Sequence, residues 1–244
     1  MIHPETSAYL SLLRNHIDIK RVPFSDRGSR LLVLQDQERP CFSIKLAERL
    51  TTIQPDIEAY LRRPPFIQDF FLLDENGEML DFTVVTYPHI VHLQTRIGDF
   101  ALVFQDEKTI ALGLPPQVKA GIRFHVQPQF WETTEGGGVF KAVRNLVYSS
   151  TCETVHNEIT PDKGGYTIQY IVQTDDDSAI GITIRNVVQL QPEMQPFSTS
   201  SAKAEKRWRE WFERIPAVDE KYRVTYAYAW WIMANNLIGA QGLV

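Results

Sequence analysis

The segment from Tyr222 to Ile238 constrains the fold most, because it has the length of a helix and no polar side. Its residues (Tyr226, Tyr228, Trp230, Trp231, Ile232 and Met233 among them) recur all round a helical wheel. A helix that is apolar on every side belongs inside something large. Only a few residues follow it before Val244. The expectation is therefore the amino-terminal part of a longer protein, with this helix enclosed by others further along. Otherwise the segment folds back on the strands before it, and these alternatives predict different surfaces for Trp230, Trp231 and Met233.

At 244 residues the chain is long enough for one large or two small domains with a sizeable core. A net charge of -5 argues against nucleic acid as a partner, since phosphate binding needs a basic face. Two cysteines, Cys41 and Cys152, imply no disulfide framework and read as free thiols. The start, Met-Ile-His-Pro-Glu-Thr, lacks the basic and apolar regions of a signal peptide. No run approaches the roughly 20 apolar residues that span a bilayer. The expectation is a cytoplasmic protein with no membrane partner.

From about Val22 to Val188 short apolar runs alternate with turn residues, the pattern of an antiparallel sandwich or barrel. Ile122, Phe124 and Val126 alternate with Arg123 and His125, a half-buried strand. Phe70 to Phe82 reads as a hairpin turning at Asn76-Gly77. Tyr166–Val172 and Ala179–Arg185 read as an antiparallel pair joined across Asp175-Asp176-Asp177. A short helix is expected between Ala47 and Leu61, ended by Arg63-Pro64-Pro65. Gln191–Ser201, rich in Pro, Ser, Thr and Gln, reads as a linker. Beyond it, Ala202–Ile215 sets Trp208, Trp211, Phe212 and Ile215 on one helical face, with the charges of Lys203–Arg214 as a solvated face. Pro216 breaks this helix, and Asp219 is the candidate cap of the aromatic one.

Few residues suggest chemistry. His89 and His92 invite a metal, but histidines three apart on an extended strand face opposite sides, and no further ligand lies at a useful spacing. No metal or other cofactor is expected. Glu135 to Lys141 is glycine-rich yet lacks the Gly-Lys-Ser/Thr ending of a phosphate loop, and reads as a flexible connection between strands. Asp74, Glu75 and Asp175 to Asp177 sit in turns, where aspartate is common for backbone reasons. Asp26, Arg27 and Arg30 cluster around Gly28 before an apolar strand. They make either a turn in which Asp26 pairs with an arginine or a loop aimed at a hydroxyl-rich ligand. Trp230, Trp231, Asn235 and Asn236 suit a sugar site by type, but on so apolar a helix most of them belong to the core.

Val22 to Val33, Leu80-Asp-Phe with Tyr87-Pro-His89, and Tyr226 to Leu237 together resemble the amino-terminal region of bacterial glucosidase-like glycoside hydrolases. These are the relatives of mannosylglycerate hydrolase, trehalase and the amylo-α-1,6-glucosidases. The resemblance spans nearly the whole chain. It implies a mainly β fold, an antiparallel β-supersandwich (residues 1–190), then a linker (191–201), then a linker helix and the first helix of an (α/α)₆ six-hairpin barrel (202–244). It also implies a carbohydrate substrate, α-glucosides or related oligosaccharides, met by the missing barrel. An inverting member needs a general acid and a general base roughly 6.5–9.5 Å apart. Neither matches a position here, so no catalytic residue is assigned and the chain alone is expected to be inactive. Asp26, Arg27 and Arg30 become candidates for a substrate-binding loop at the pocket rim, and the bare aromatic helix a candidate for self-association. Two other functions remain open: a stand-alone carbohydrate-binding or scaffold domain, and a mutarotase-like epimerase. The epimerase requires His125 or His156 beside Glu132 or Glu158 in one cleft.

Overall fold

The computed structural model describes residues 6–47, 64–127, 130–134, 136–141, 145–162, 164–185 and 194–237. The helix expected between Ala47 and Leu61 lies outside the described residues. In chain order come α1 (Thr6–Leu12), β1 (Leu31–Gln35), β2 (Cys41–Leu46), β3 (Ile67–Leu73), β4 (Thr83–Thr86), β5 (Ile90–Thr95), β6 (Gly98–Asp106) and β7 (Thr109–Gly113). There follow β8 (Lys119–Val126), β9 (Phe130–Thr134), β10 (Gly137–Lys141), β11 (Asn145–Ser150), β12 (Glu153–Asp162), β13 (Gly165–Gln173) and β14 (Ala179–Arg185). Two helices close the described chain, α2 (Phe197–Phe212) and α3 (Arg223–Asn235).

The strands form two sheets of antiparallel pairs, one ordered β1-β2-β3-β8-β13-β12 and the other β4-β5-β6-β7-β14-β11-β10-β9. Their facing sides bury one continuous apolar core, with Phe42, Phe70, Ile122, Phe124 and Tyr170 from the first sheet and Leu102, Phe104, Leu112, Tyr148 and Ile182 from the second. The alternation in β8 is as read: Ile122, Phe124 and Val126 are buried, Arg123 is exposed and His125 half-buried. Tyr148 lies edge-on to both Phe124 and Tyr170, with centroids 5.7 and 5.2 Å apart. Such ring pairs add about 0.5–1.5 kcal/mol beyond the area they bury.

Several local expectations need correction. β13 and β14 do not pair: β13 lies between β8 and β12, whereas β14 lies between β7 and β11. The acidic turn between them carries the chain from one sheet to the other. Alternation fixes which side chains face inward, not which sheet a strand joins. The Asn76-Gly77 turn is present, with Gly77 at φ 78°, but its return arm is short. Only Met79 bridges Leu73, and Leu80 donates its N–H to the Leu72 carbonyl. The glycine-rich segment is a strand over Gly137–Lys141 rather than a flexible connection. A Cβ on Gly137 would lie 1.9 Å from the Tyr148 carbonyl, and one on Gly138 would lie 2.6 Å from the Tyr148 ring. These glycines allow close approach.

The segment read as linker is helical from Phe197 onward, and the helix ends at Phe212 rather than Ile215. Its N-terminus is capped from elsewhere. The Asp177 carboxylate accepts the Ser198 N–H at 2.7 Å and the Ser198 hydroxyl at 2.6 Å. Orphan amides of a first turn need such a partner, and here it comes from the sheet-switching turn. Asp219 makes no side-chain cap; a short 3₁₀ turn, Glu220–Tyr222, leads into α3.

α2 lies on the outer face of the second sheet, where the side chains are small. The registers place Ala101 opposite Gly113, which is also opposite Ala179, and Ala111 opposite both Val103 and Gly181. Ala101, Val103 and Ala111 bury against Ala204 of α2, with Phe197 packed on them. A Cβ on Gly113 would lie 2.6 Å from the Phe197 ring. Among the described residues no helix is long and apolar enough to cross a membrane.

Candidate functional site

The loop that holds Asp26, Arg27 and Arg30 meets both carboxy-terminal helices. Phe24 bridges Val33 of β1, and Ser29 donates its hydroxyl to the Glu107 carbonyl at 2.8 Å. The loop is thereby pinned to the β6–β7 turn. Gly28, at φ 88°, adopts a conformation that disfavours other residues. Its N–H donates to the Leu237 carbonyl at 2.7 Å, just beyond the end of α3.

Asp26 is buried, and its carboxylate accepts Nε of Arg207 in α2 at 2.9 Å. The same guanidinium also donates to the Phe104 and Gln105 carbonyls at 2.5 and 3.3 Å. Burial pushes the Asp26 carboxyl above the usual carboxylate range, and Arg207 opposes that rise. Asp26 thus pairs with an arginine, though one far along the chain. Arg27 is exposed and its guanidinium lies 5.2 Å from the Trp211 ring centroid. Arg30 is half-buried, with Nε unpartnered.

Sequence reading placed Arg207 on a solvated face. Ser200, Ala204, Arg207 and Trp211 recur at i, i+4, i+7 and i+11, so the helical wheel already set it beside the buried stripe. Two tryptophans join α2 to α3. Trp211 Nε1 donates to the Trp230 carbonyl at 3.0 Å, and Trp230 Nε1 donates to the Trp211 carbonyl at 3.1 Å. Their rings lie 5.4 Å apart.

α3 divides cleanly into two faces. Ala227, Trp231 and Ala234 are fully buried, and Trp231 Nε1 donates to the Pro88 carbonyl at 3.4 Å. α1, Trp211 of α2 and the β4–β5 turn all meet α3. On the opposite side Tyr222, Tyr226, Met233 and Leu237 are 49%, 44%, 39% and 45% exposed. With the exposed Ala229 they fall within about 80° of arc at 100° per residue. The helix is neither wholly enclosed nor wholly bare. Asn235, half-buried, has both side-chain amide atoms buried without a partner.

The remaining candidates disperse. His89 sits under α2, with the Tyr87 ring between it and His92 at 6.1 and 5.9 Å. Burial lowers the His89 pKa to about 4, with like charge from His92 and Arg209 adding to the effect and Glu205 opposing it. No group of three or more His, Cys, Asp or Glu side chains suited to a metal converges among the described residues. His156 Nε2 does lie 3.3 Å from Glu158, but their side chains are 42% and 60% exposed on edge strand β12. That is a surface pair and not the cleft an epimerase needs. His125 is half-buried beside Gly165. Cys41 and Cys152 are both free; burial pushes the Cys41 thiol up to about 11, which keeps it protonated and inert.

No protein-family model and no curated protein matches the chain. The fold does have solved counterparts. It is similar to the family GH92 alpha-mannosidase from Bacteroides thetaiotaomicron in complex with mannoimidazole, with a TM-score of 0.63 and 9% identity over 96% of this chain. The chain spans 40% of that protein's length. A family GH92 inverting mannosidase of the same organism aligns at a TM-score of 0.46 and 10% identity, over 85% of this chain and 36% of that one. At such identities the likeness is one of fold: an antiparallel β-sandwich followed by helices.

Proposed function

We propose that the chain is the non-catalytic β-sandwich portion of a glycoside hydrolase, and that the outer face of α3 packs against a helical catalytic domain. The apolar stripe from Tyr222 to Leu237 carries this reading, because it is continuous and lies opposite a face already buried. Exposed apolar patches of this kind mark interaction surfaces. The mannosidase likeness supports it, since the sandwich accounts for under half of a longer enzyme. The motif resemblance supplies the barrel and the substrate class, α-glucosides or related oligosaccharides. A mannoside is the competing sugar, since the structural neighbour is an alpha-mannosidase.

In this reading Asp26 anchors the loop from Gly28 to Arg30, and the exposed Arg27 is its foremost group for reaching a pocket rim. The free thiols suit a cytoplasmic setting. The test compares this chain with the protein encoded by its full reading frame, on aryl α-glucosides and α-mannosides. Turnover by the longer protein alone, with slower hydrogen exchange in α3, is the expected result. A stop codon directly after Val244, or turnover by this chain itself, would overturn the proposal.

A further inference from the structure

The sandwich carries a concavity at the end of β6 opposite the Asp26 loop. A nine-residue strand separates the two ends by roughly 25–30 Å. This open cleft has a volume of ≈ 360 Å³ between the β3 return turn, the β5–β6 turn and the β7–β8 connection. Small-molecule sites occupy roughly 300–1,000 Å³.

Its walls are fixed before any ligand arrives. The buried Asp74 carboxylate accepts the N–H groups of Asn76 and Glu78, each at 3.0 Å, and pairs with Arg96. Opposite, Gln117 holds φ 59°, uncommon for a residue with a side chain, and its Nε2 donates to Asp176 at 3.1 Å. Gln173 Nε2 donates to the Val118 carbonyl at 3.2 Å.

What these walls leave unused is specific. Among the described residues, no partner engages the Glu75 carboxylate, the Asn76 side-chain amide or the Lys119 ammonium. Gln117 and Gln173 each bond through nitrogen, leaving a carbonyl oxygen to accept. Half-buried Ile97 and Val118 supply apolar surface. The lining holds two acids, Asp74 and Glu75, against two bases, Arg96 and Lys119. An anion would meet the carboxylates, a cation would meet the bases, and an apolar molecule would strand the amides. A hydroxyl both donates and accepts, so it can satisfy every group.

We propose that this cleft binds a neutral, polyhydroxylated ligand, a monosaccharide or a short oligosaccharide. This site is independent of the proposed hydrolase function and of the α3 surface. The test is amide-resolved NMR titration of this chain with glucose, mannose and maltose, and with inorganic phosphate as the anionic probe. Expected are saturable shifts at residues 75–78, 96–98 and 117–119 from at least one sugar and none from phosphate. A larger response to maltose than to the monosaccharides would assign the site to a chain of sugars; the reverse would assign it to a single one. Lys119→Ala and Glu75→Gln, both at exposed positions, are expected to weaken binding tenfold or more with Tm unchanged. No saturable response to any sugar, saturation by phosphate alone, sugar-dependent shifts confined to α3, or both variants binding as the parent would overturn the proposal.

Discussion

α2 and α3 meet through Trp211 and Trp230 yet present different surfaces. α2 buries Ala204, Trp208, Trp211 and Phe212 and turns Lys203, Lys206, Glu210 and Glu213 outward. α3 buries Ala227, Trp231 and Ala234 and turns Tyr226 and Met233 outward, with Tyr222 and Leu237 exposed at its two ends. Both inner faces meet the same core. The charges on α2 finish a surface that water covers, whereas the outer side of α3 has the composition of an interface core, where aromatics and methionine gather and charges are scarce. A buried tryptophan on α3 therefore says nothing about whether the helix is fully covered; its opposite face decides that.

The largest effects belong to the inner faces. Trp231→Ala removes a fully buried indole and is expected to cost about 3–5 kcal/mol in urea unfolding. Arg207→Met strands the buried Asp26 carboxylate and is expected to cost a comparable ~3–5 kcal/mol. Adding Asp26→Leu to it removes the stranded charge, so most of that loss is expected to return. A loss under about 1 kcal/mol for Arg207→Met alone would mean that α2 is not held by this pair.

His89 couples stability to pH. Its pKa is lowered in the fold from 6.5 to about 4, so the fold favours the neutral ring. Above pH 6.5 neither state is charged and nothing changes. As pH falls from 6.5 towards 4, the unfolded chain takes up a proton that the native one refuses, and stability drops. The loss is expected to reach about 2–3 kcal/mol at the bottom of that window. His89→Phe is expected to flatten this part of the pH profile, and an unchanged profile would refute the assignment. Asp177→Ala, which uncaps α2, is expected to cost about 1 kcal/mol.

The smallest stability change separates the two outer faces. Tyr226→Ser with Met233→Glu is expected to alter unfolding by less than ~0.5 kcal/mol per site, while abolishing any self-association seen by sedimentation. Lys206→Ala on α2, at an exposed i,i+4 pair, is expected to leave both properties unchanged. Equal behaviour of the two faces would dissolve the contrast.

Much of the architecture was legible in the residues. Ile122, Phe124 and Val126 announced a half-buried strand, and the spacing of turns announced a sandwich. The pairing of β13 with β8 was not legible, because a turn such as Asp175–Ser178 looks the same whether it closes a hairpin or crosses between sheets. Gly137 and Gly138 read as flexibility because the Tyr148 atoms that require them come eight or more residues later and appear only in the register. The Asp26 loop was legible as a cluster, but its partner Arg207 is 181 residues away. The pair shows only where two amphipathic patterns meet.

The two rows of alanine and glycine beneath α2 have a mechanical consequence. They set how deeply that helix seats, and through the paired indoles they set the pitch of α3 as well. A methyl group added at Gly113 would act as a shim under Phe197, prising up one helix and tipping the next. A domain docked on the far side of α3, as proposed, would take its alignment from a spacer only a few atoms thick.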